Sequence, residues 1–167
     1  MKKILITGGA GYIGSLLSTS LINDGHKVTV IDLLKYNKSS IGHLFFHKNF
    51  NFINEDCRKK NIIKKLVQEN EILIPLAGLV GAPLCEKFKK DAISTNFEAI
   101  KMLKDLADTK KKIIYMTSNS GYGIGKKGKY CDENSPLNPI SLYGKTKCDA
   151  EKEVLKFKNS ICFRLAT

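Results

Sequence analysis

Arginine is nearly missing from this chain. It stands only at Arg58 and Arg164, so a net charge of +12 is almost wholly a lysine surplus. Nucleic-acid surfaces interleave basic side chains with aromatic stacking platforms. Here the lysines cluster only at Lys87/Lys89/Lys90 and at Lys110 to Lys112, with a scatter over 145–158 and no aromatics between them. The charge therefore reads as a solvated lysine-rich surface, and no specific nucleic-acid partner is expected. Long hydrophobic runs are also missing: nothing approaches the ~18 residues of a membrane span. The apolar stretch Ile4 to Ile6 is too short for a signal peptide, and Gly8, Gly9 and Gly11 follow at once. A buried first strand, a cytoplasmic location and no membrane partner are expected. The five cysteines, Cys57, Cys85, Cys131, Cys148 and Cys162, are odd in number and form no C-x-x-C pair. That argues against a disulfide framework and against a zinc site, so no metal is expected. No internal repeat, Pro-rich linker or low-complexity segment divides the 167 residues, which suffice for one domain with a real core.

What the chain does contain is alternation. Short β-branched or leucine-rich runs recur at Ile4–Thr7, Lys27–Asp32, Asn51–Ile53, Glu71–Leu76, Lys112–Thr117 and Ser160–Arg164. Amphipathic helical patterns lie between most of them. Tyr12 to Asp24 carries Ile13, Leu16, Leu17 and Leu21 on one stripe. Asn61 to Glu69 carries Ile62, Ile63, Leu66 and Val67. Phe97 to Leu106 carries Ile100, Leu103 and Leu106, and Ala150 to Phe157 carries Val154, Leu155 and Phe157. Strands alternating with helices predict an α/β fold, a parallel sheet of about six strands with helices on both faces. Leu33–Asn49 is less regular and reads as a loop with some helix.

Directly after the first strand comes Thr7-Gly8-Gly9-Ala10-Gly11-Tyr12-Ile13-Gly14, which opens a helix with the spacing G-x-x-G-x-x-G. Gly8 would allow the tight turn, Gly11 the approach of a pyrophosphate, and Gly14 close packing of helix on strand. The helix N-terminus would offer free N–H groups and a positive dipole to phosphates. Asp32 ends the second strand, close to the ~20-residue offset of a ribose-binding acid. A carboxylate there accepts from both ribose hydroxyls and repels a 2′-phosphate. That favours NAD over NADP, though Lys35 nearby keeps NADP open. Further along, Tyr143 and Lys147 stand four apart, on one face of a helix. A free tyrosine has a pKa near ~10 and is a poor base. An adjacent ammonium, helped by a nicotinamide cation, would lower it toward working pH.

Taken together, the glycine loop, Asp32 and the Tyr143/Lys147 pair resemble an extended short-chain dehydrogenase/reductase. More narrowly they resemble the NAD-dependent epimerase/dehydratase family that acts on nucleotide sugars. The resemblance implies a Rossmann-type doubly wound sheet with NAD held by Gly8, Gly11, Tyr12, Ile13, Gly14 and Asp32. It also implies that Asp56 contacts the adenine amino group and Cys57 the ring edge through its backbone. Leu76, Ala77 and Gly78 would form the turn beneath the cofactor, in Pro75-Leu76-Ala77-Gly78 where the family usually has His-Leu-Ala-Ala. Asn96 would open a helix as a buried structural residue beside that site. In the fifth-strand segment ending Thr117-Ser118-Asn119-Ser120-Gly121-Tyr122, the family pattern selects Ser118 as the catalytic hydroxyl. Its bland alternative is a strand-end cap. Thr117 and Ser120 would touch substrate, Tyr143 would move the proton, and Lys147 would hold the nicotinamide ribose.

The resemblance also narrows the reaction. Dehydratases of the family follow the catalytic hydroxyl with Asp-Glu, and decarboxylases need Glu at the second position; this chain has Asn119-Ser120. An epimerase needs only the hydroxyl, the tyrosine, the lysine and NAD, and so does a reductase. A nucleotide-sugar epimerase is the expectation, with a reductase or dehydratase, or a non-catalytic dinucleotide-binding module, as alternatives. A bare module has no use for Ser118, Tyr143 and Lys147. The family continues well beyond Ile161–Thr167, here the sixth strand. Residues 1–167 are therefore expected to be a single NAD-binding domain, truncated relative to the family and without its C-terminal substrate region. A homodimer at full length is expected by analogy, through helices beginning near Asp91 and Ser141.

Overall fold

A computed structural model describes residues 1–36, 39–125 and 128–166; Thr167, the end of the expected sixth-strand segment, lies outside them. Six strands form one sheet: Lys3–Thr7 (β1), Lys27–Ile31 (β2), Phe50–Ile53 (β3), Ile72–Pro75 (β4), Lys112–Ser118 (β5) and Ser160–Leu165 (β6). Their order is β3-β2-β1-β4-β5-β6 and every pairing is parallel. The order reverses between β1 and β4, which is where open α/β sheets bind ligands, beyond the strands' carboxyl ends. The helices are Tyr12–Asn23 (α1), Lys60–Glu69 (α2), Ala82–Lys87 (α3), Lys89–Ile93 (α4), Ala99–Leu106 (α5) and Leu142–Leu155 (α6).

Each face of the sheet has its own core. On one, α2, α5 and α6 cover Leu5, Leu73, Ile113 and Tyr115, all fully buried. On the other, α1 and the segment around Ile41 and Leu44 cover Ile4, Ile6, Val28 and Val30. This second cover reaches only the β1–β4 side. On β6, Ile161, Phe163 and Leu165 remain 45%, 45% and 36% exposed.

Several sequence expectations change. On α1 the packed face is Gly14, Ser18 and Ile22, while Ile13 and Leu16 point outward. The cause is close approach: a Cβ on Gly14 would lie 2.6 Å from the Gly9 Cα. With the helix held that near the sheet, small residues face inward and the longer leucines are displaced to the flanks. Leu155 is likewise exposed rather than part of the α6 stripe. Helix α6 also starts eight residues earlier than the Ala150 read from periodicity (150 against 142), because Ser141 caps it by accepting from the Gly144 N–H at 3.1 Å. Asn96 does not open a helix. It sits within a π-helical turn, Ser94–Glu98, that joins α4 to α5. The irregular 33–49 segment holds one 3-10 turn, Gly42–Leu44.

Candidate cofactor cradle and active site

The glycine loop is built by contacts that only glycine permits. Gly8 has φ +72°, and a Cβ there would lie 2.5 Å from the Ala77 nitrogen. The loop after β1 therefore rests directly on the loop after β4. Gly9, which the spacing argument passed over, is equally constrained: its Cβ would meet the Val30 methyls at 2.6 Å. The doubled glycine was the available signal. Gly11 is the N-cap of α1, with no side-chain cap and no acidic residue in the first turn. The first N–H groups and the positive helix end are thus left for an anion. Tyr12 and Ile13 offer their backbone there; their side chains face solvent.

Asp32 follows β2 and points both oxygens at backbone. Oδ2 accepts from the Ala10 N–H at 3.0 Å and Oδ1 from the Leu34 N–H at 2.8 Å. It therefore braces the glycine loop itself. An ionised carboxylate has about four acceptor sites, so two remain. Asp56 is held differently. Arg58 grips its carboxylate with Nε at 3.0 Å and Nη2 at 2.7 Å, then reaches Asp91 at 2.7 Å and Ser94 at 3.0 Å. The guanidinium keeps the Asp56 carboxyl below its ordinary range. Burial pushes the neighbouring Cys57 thiol up to about 12, so it stays protonated. Arg58 carried no signal in the sequence beyond its rarity.

Beneath the cleft, Pro75 ends β4. The β1–β4 ladder runs to Pro75 while the β4–β5 ladder stops at Leu73. A residue without an N–H suits the point where β4 parts from β5. Leu76 and Ala77 continue along Thr7, at 2.9 Å to its carbonyl and 3.3 Å to its hydroxyl. Asn96, expected as a buried structural residue beside this site, is buried and commits its amide to Leu79: Oδ1 accepts from the Leu79 N–H at 2.8 Å and Nδ2 donates to the Leu79 carbonyl at 2.9 Å. It shapes the floor of the site. Gly78 leaves it room, since a Cβ there would lie 2.9 Å from the Asn96 oxygen.

At the end of β5, the Ser118 hydroxyl accepts from the Ser120 N–H at 3.1 Å and lies 3.0 Å from the Ser120 hydroxyl. It therefore is a strand-end cap as well as a candidate catalytic group. Thr117 is buried, and its hydroxyl has no partner among the described residues. Helix α6 brings Tyr143 to this turn. Burial raises the Tyr143 phenol above its ordinary value, and the Ser118 side chain pulls it back down. Lys147 is not among the groups acting on it, so the expected lowering by the ammonium is not made in this arrangement. Lys147 instead donates to the Met116 carbonyl at 2.7 Å and lies 4.4 Å from the centre of the Tyr115 ring. Burial lowers its pKa to about 8. Gly144, between the two, is where α6 crosses the turn: a Cβ would lie 2.8 Å from the Ser120 carbonyl oxygen.

A glycine cradle beside an uncapped helix end, a carboxylate after β2, and a Ser/Tyr/Lys group near the cleft fit a dinucleotide. The family model of the NAD dependent epimerase/dehydratase family matches residues 4–165. Over 162 residues the chain is 33% identical to a UDP-glucose 4-epimerase of Neisseria meningitidis serogroup C, covering 91% of this chain and 47% of that protein. It is 34% identical over 125 residues to a UDP-N-acetyl-alpha-D-glucosaminuronate decarboxylase of Bacillus cytotoxicus, covering 74% of this chain and 39% of that protein. Among solved structures, a UDP-glucuronic acid 4-epimerase from Bacillus cereus, in complex with UDP-glucuronic acid and NAD, superposes with a TM-score of 0.85 at 27% identity. That match covers 97% of this chain and 55% of the other. The chain spans about half the length of the relatives it matches. The chain belongs to the NAD dependent epimerase/dehydratase family.

Proposed function

We propose that this chain is the NAD-binding part of a nucleotide-sugar epimerase. The observation that carries the reading is the meeting of Ser118 and Tyr143 at the end of β5, with Lys147 one helical turn on. In this reading Gly8, Gly11, Gly14 and the backbone of Tyr12 and Ile13 hold the pyrophosphate, and Asp32 holds the adenosine ribose. Asp56 and the Cys57 backbone meet the adenine, while Leu76, Ala77 and Gly78 line the floor. A bound nicotinamide supplies a hydride acceptor that can return the hydride. Ser118 orients a sugar hydroxyl, Tyr143 takes its proton, and Thr117 and Ser120 lie beside the sugar. Lys147 holds the nicotinamide ribose once it leaves the Met116 carbonyl. Tyr143, raised chiefly by burial, needs that charge in the complete site to act as a base.

The decarboxylase relative favours a second reading, a sugar-acid decarboxylase. Ser120 offers a hydroxyl already paired with Ser118 where that chemistry calls for a carboxylate, so epimerisation is the better fit. We place the protein in the cytoplasm. Five free thiols support this, and among the described residues no helix is long and apolar enough to cross a membrane. A homodimer, through the helices beginning near Asp91 and Ser141, is proposed by analogy with the family.

Calorimetric titration with NAD⁺ and with NADP⁺, beside an Asp32→Ala variant, tests the reading. Saturable binding that prefers NAD⁺ and weakens in the variant is expected. No binding by a folded chain overturns the cofactor site.

A further inference from the structure

Behind Tyr143 and Lys147, between α6 and strands β5 and β6, lies a polar layer that the roles above do not use. Glu151 stands one helical turn beyond Lys147 and is 3% exposed. Arg164 on β6 reaches it with two donors, Nη2 at 2.6 Å and Nε at 3.0 Å, both to Oε1. Oε2 is buried and has no partner among the described residues. Nor has the Tyr115 hydroxyl, on the ring that lies against the Lys147 ammonium. A buried carboxylate oxygen without a hydrogen bond is costly, so its presence calls for an explanation.

Arg164 does not neutralise Glu151 on its own terms. Its guanidinium also donates to the Tyr122 hydroxyl and to the Glu133 carbonyl, each at 3.1 Å, and lies 5.2 Å from the Tyr122 ring. It is thus fixed from three segments of the chain, and the carboxylate it holds is fixed with it.

We propose that Glu151 is a positioning residue for Lys147: its buried carboxylate, one helical turn away and pinned by Arg164, favours the ammonium that lies over the Tyr115 face. This rests on the ribose-binding role given to Lys147 above. The groups that face Lys147 are Glu151 on its own helix, Tyr115 on β5 and Cys162 on β6. No group on α3, α4 or α5 acts on its charge. Burial disfavours the ammonium, and Cys162 and Glu151 oppose that. The Cys162 thiol is held up to about 12 by burial and stays neutral at working pH. Glu151 is therefore the charge that supports the lysine.

The test is a pH titration of the Lys147 side chain by NMR in lysine-labelled protein, with the signal assigned by its loss in Lys147→Arg. Glu151→Gln keeps the shape and an oxygen for Arg164 but removes the charge. The Lys147 midpoint is expected to fall by about one pH unit. Arg164→Gln leaves the carboxylate uncompensated and is expected to move the midpoint up, while Arg164→Lys restores it. A merely structural role would move both midpoints the same way or neither. An unchanged midpoint in folded Glu151→Gln overturns the proposal, whatever the Arg164 variants do. NAD⁺ is not needed for this readout. If the midpoint moves as expected yet Lys147→Ala binds NAD⁺ as the wild type does, the ribose-binding reading fails and the positioning role stands.

Discussion

A single methyl group decides the glycine loop. Gly8→Ala would place a carbon 2.5 Å from the Ala77 nitrogen at φ +72°, so the loops after β1 and β4 must part. Strain of this kind costs roughly 1–3 kcal/mol. We expect Gly8→Ala to fold with a lowered urea midpoint and to lose NAD⁺ binding, measured by calorimetry. Tyr143→Phe separates binding from chemistry. It removes one hydroxyl and no packing, so NAD⁺ affinity should stay within about threefold while proton transfer in the full-length enzyme falls at least ~10²-fold. Equal loss of both would mean that Tyr143 only supports the cofactor. At this scale the sequence revealed a good deal, because Gly8, Asp32, Ser118, Tyr143 and Lys147 each stand at a strand end or on a helix whose pattern is local. It did not reveal Glu151 or Arg58. Their partners, Arg164 and Asp91, lie 13 and 33 residues away, and no periodicity connects such positions. Nor did it show that Lys147 would turn to the Met116 carbonyl, a choice made by burial.

Among the elements, α6 bears the heaviest constraint. It must present Tyr143 to Ser118 while crossing the Asn119–Tyr122 turn at contact distance. Gly144→Ala would push the helix from the turn by several tenths of an ångström. We expect a loss of about 1–3 kcal/mol in unfolding free energy, read from chemical denaturation. The helix also carries a titration signature. Lys147 ordinarily titrates near 10.5 and is lowered to about 8 in the fold. Below pH 8 both folded and unfolded chains carry the charge, and the burial penalty is present in full. Between pH 8 and 10.5 the folded chain has shed the proton that the unfolded chain still binds, so this group's contribution to stability rises with pH. Cys57 and Cys162, held up to about 12, act in the opposite sense across that window, so the lysine is read by difference: the wild-type urea midpoint should gain on that of Lys147→Met as pH rises from 8 to 10.5. Element types were legible because the periods of two and 3.6 are strong here. The inward face of α1 was not. Its apolar count points to Ile13 and Leu16, whereas packing distance, set by Gly14, selects Ser18 and Ile22.

Taken whole, the molecule is unevenly covered. One face of the sheet is sealed by three helices, while Ile161, Phe163 and Leu165 leave a half-exposed apolar row on the edge strand β6. Such a row promotes association. Phe163→Ser should lower the apparent mass seen by light scattering at high concentration, with little change in the thermal midpoint; an unchanged mass would show that the row is not sticky. The parallel order was predictable from the alternation of strands and helices, but the strand order and the uneven cover depend on contacts far apart in the chain.

The resting of Gly8 on Ala77 has one more consequence, for the way the chain folds. Their contact depends on β1 pairing with β4, which joins Ile4 to Ile72. A ribosome must therefore release well over seventy residues before any nucleotide cradle can exist, and loop closure of that length is slow. The first βαβ unit can form early, as two parallel strands joined by α1, but it lacks the loop after β4 on which Gly8 rests. Dinucleotide present in the cell would act on the last stage of folding, favouring the closed sheet by mass action rather than guiding its assembly.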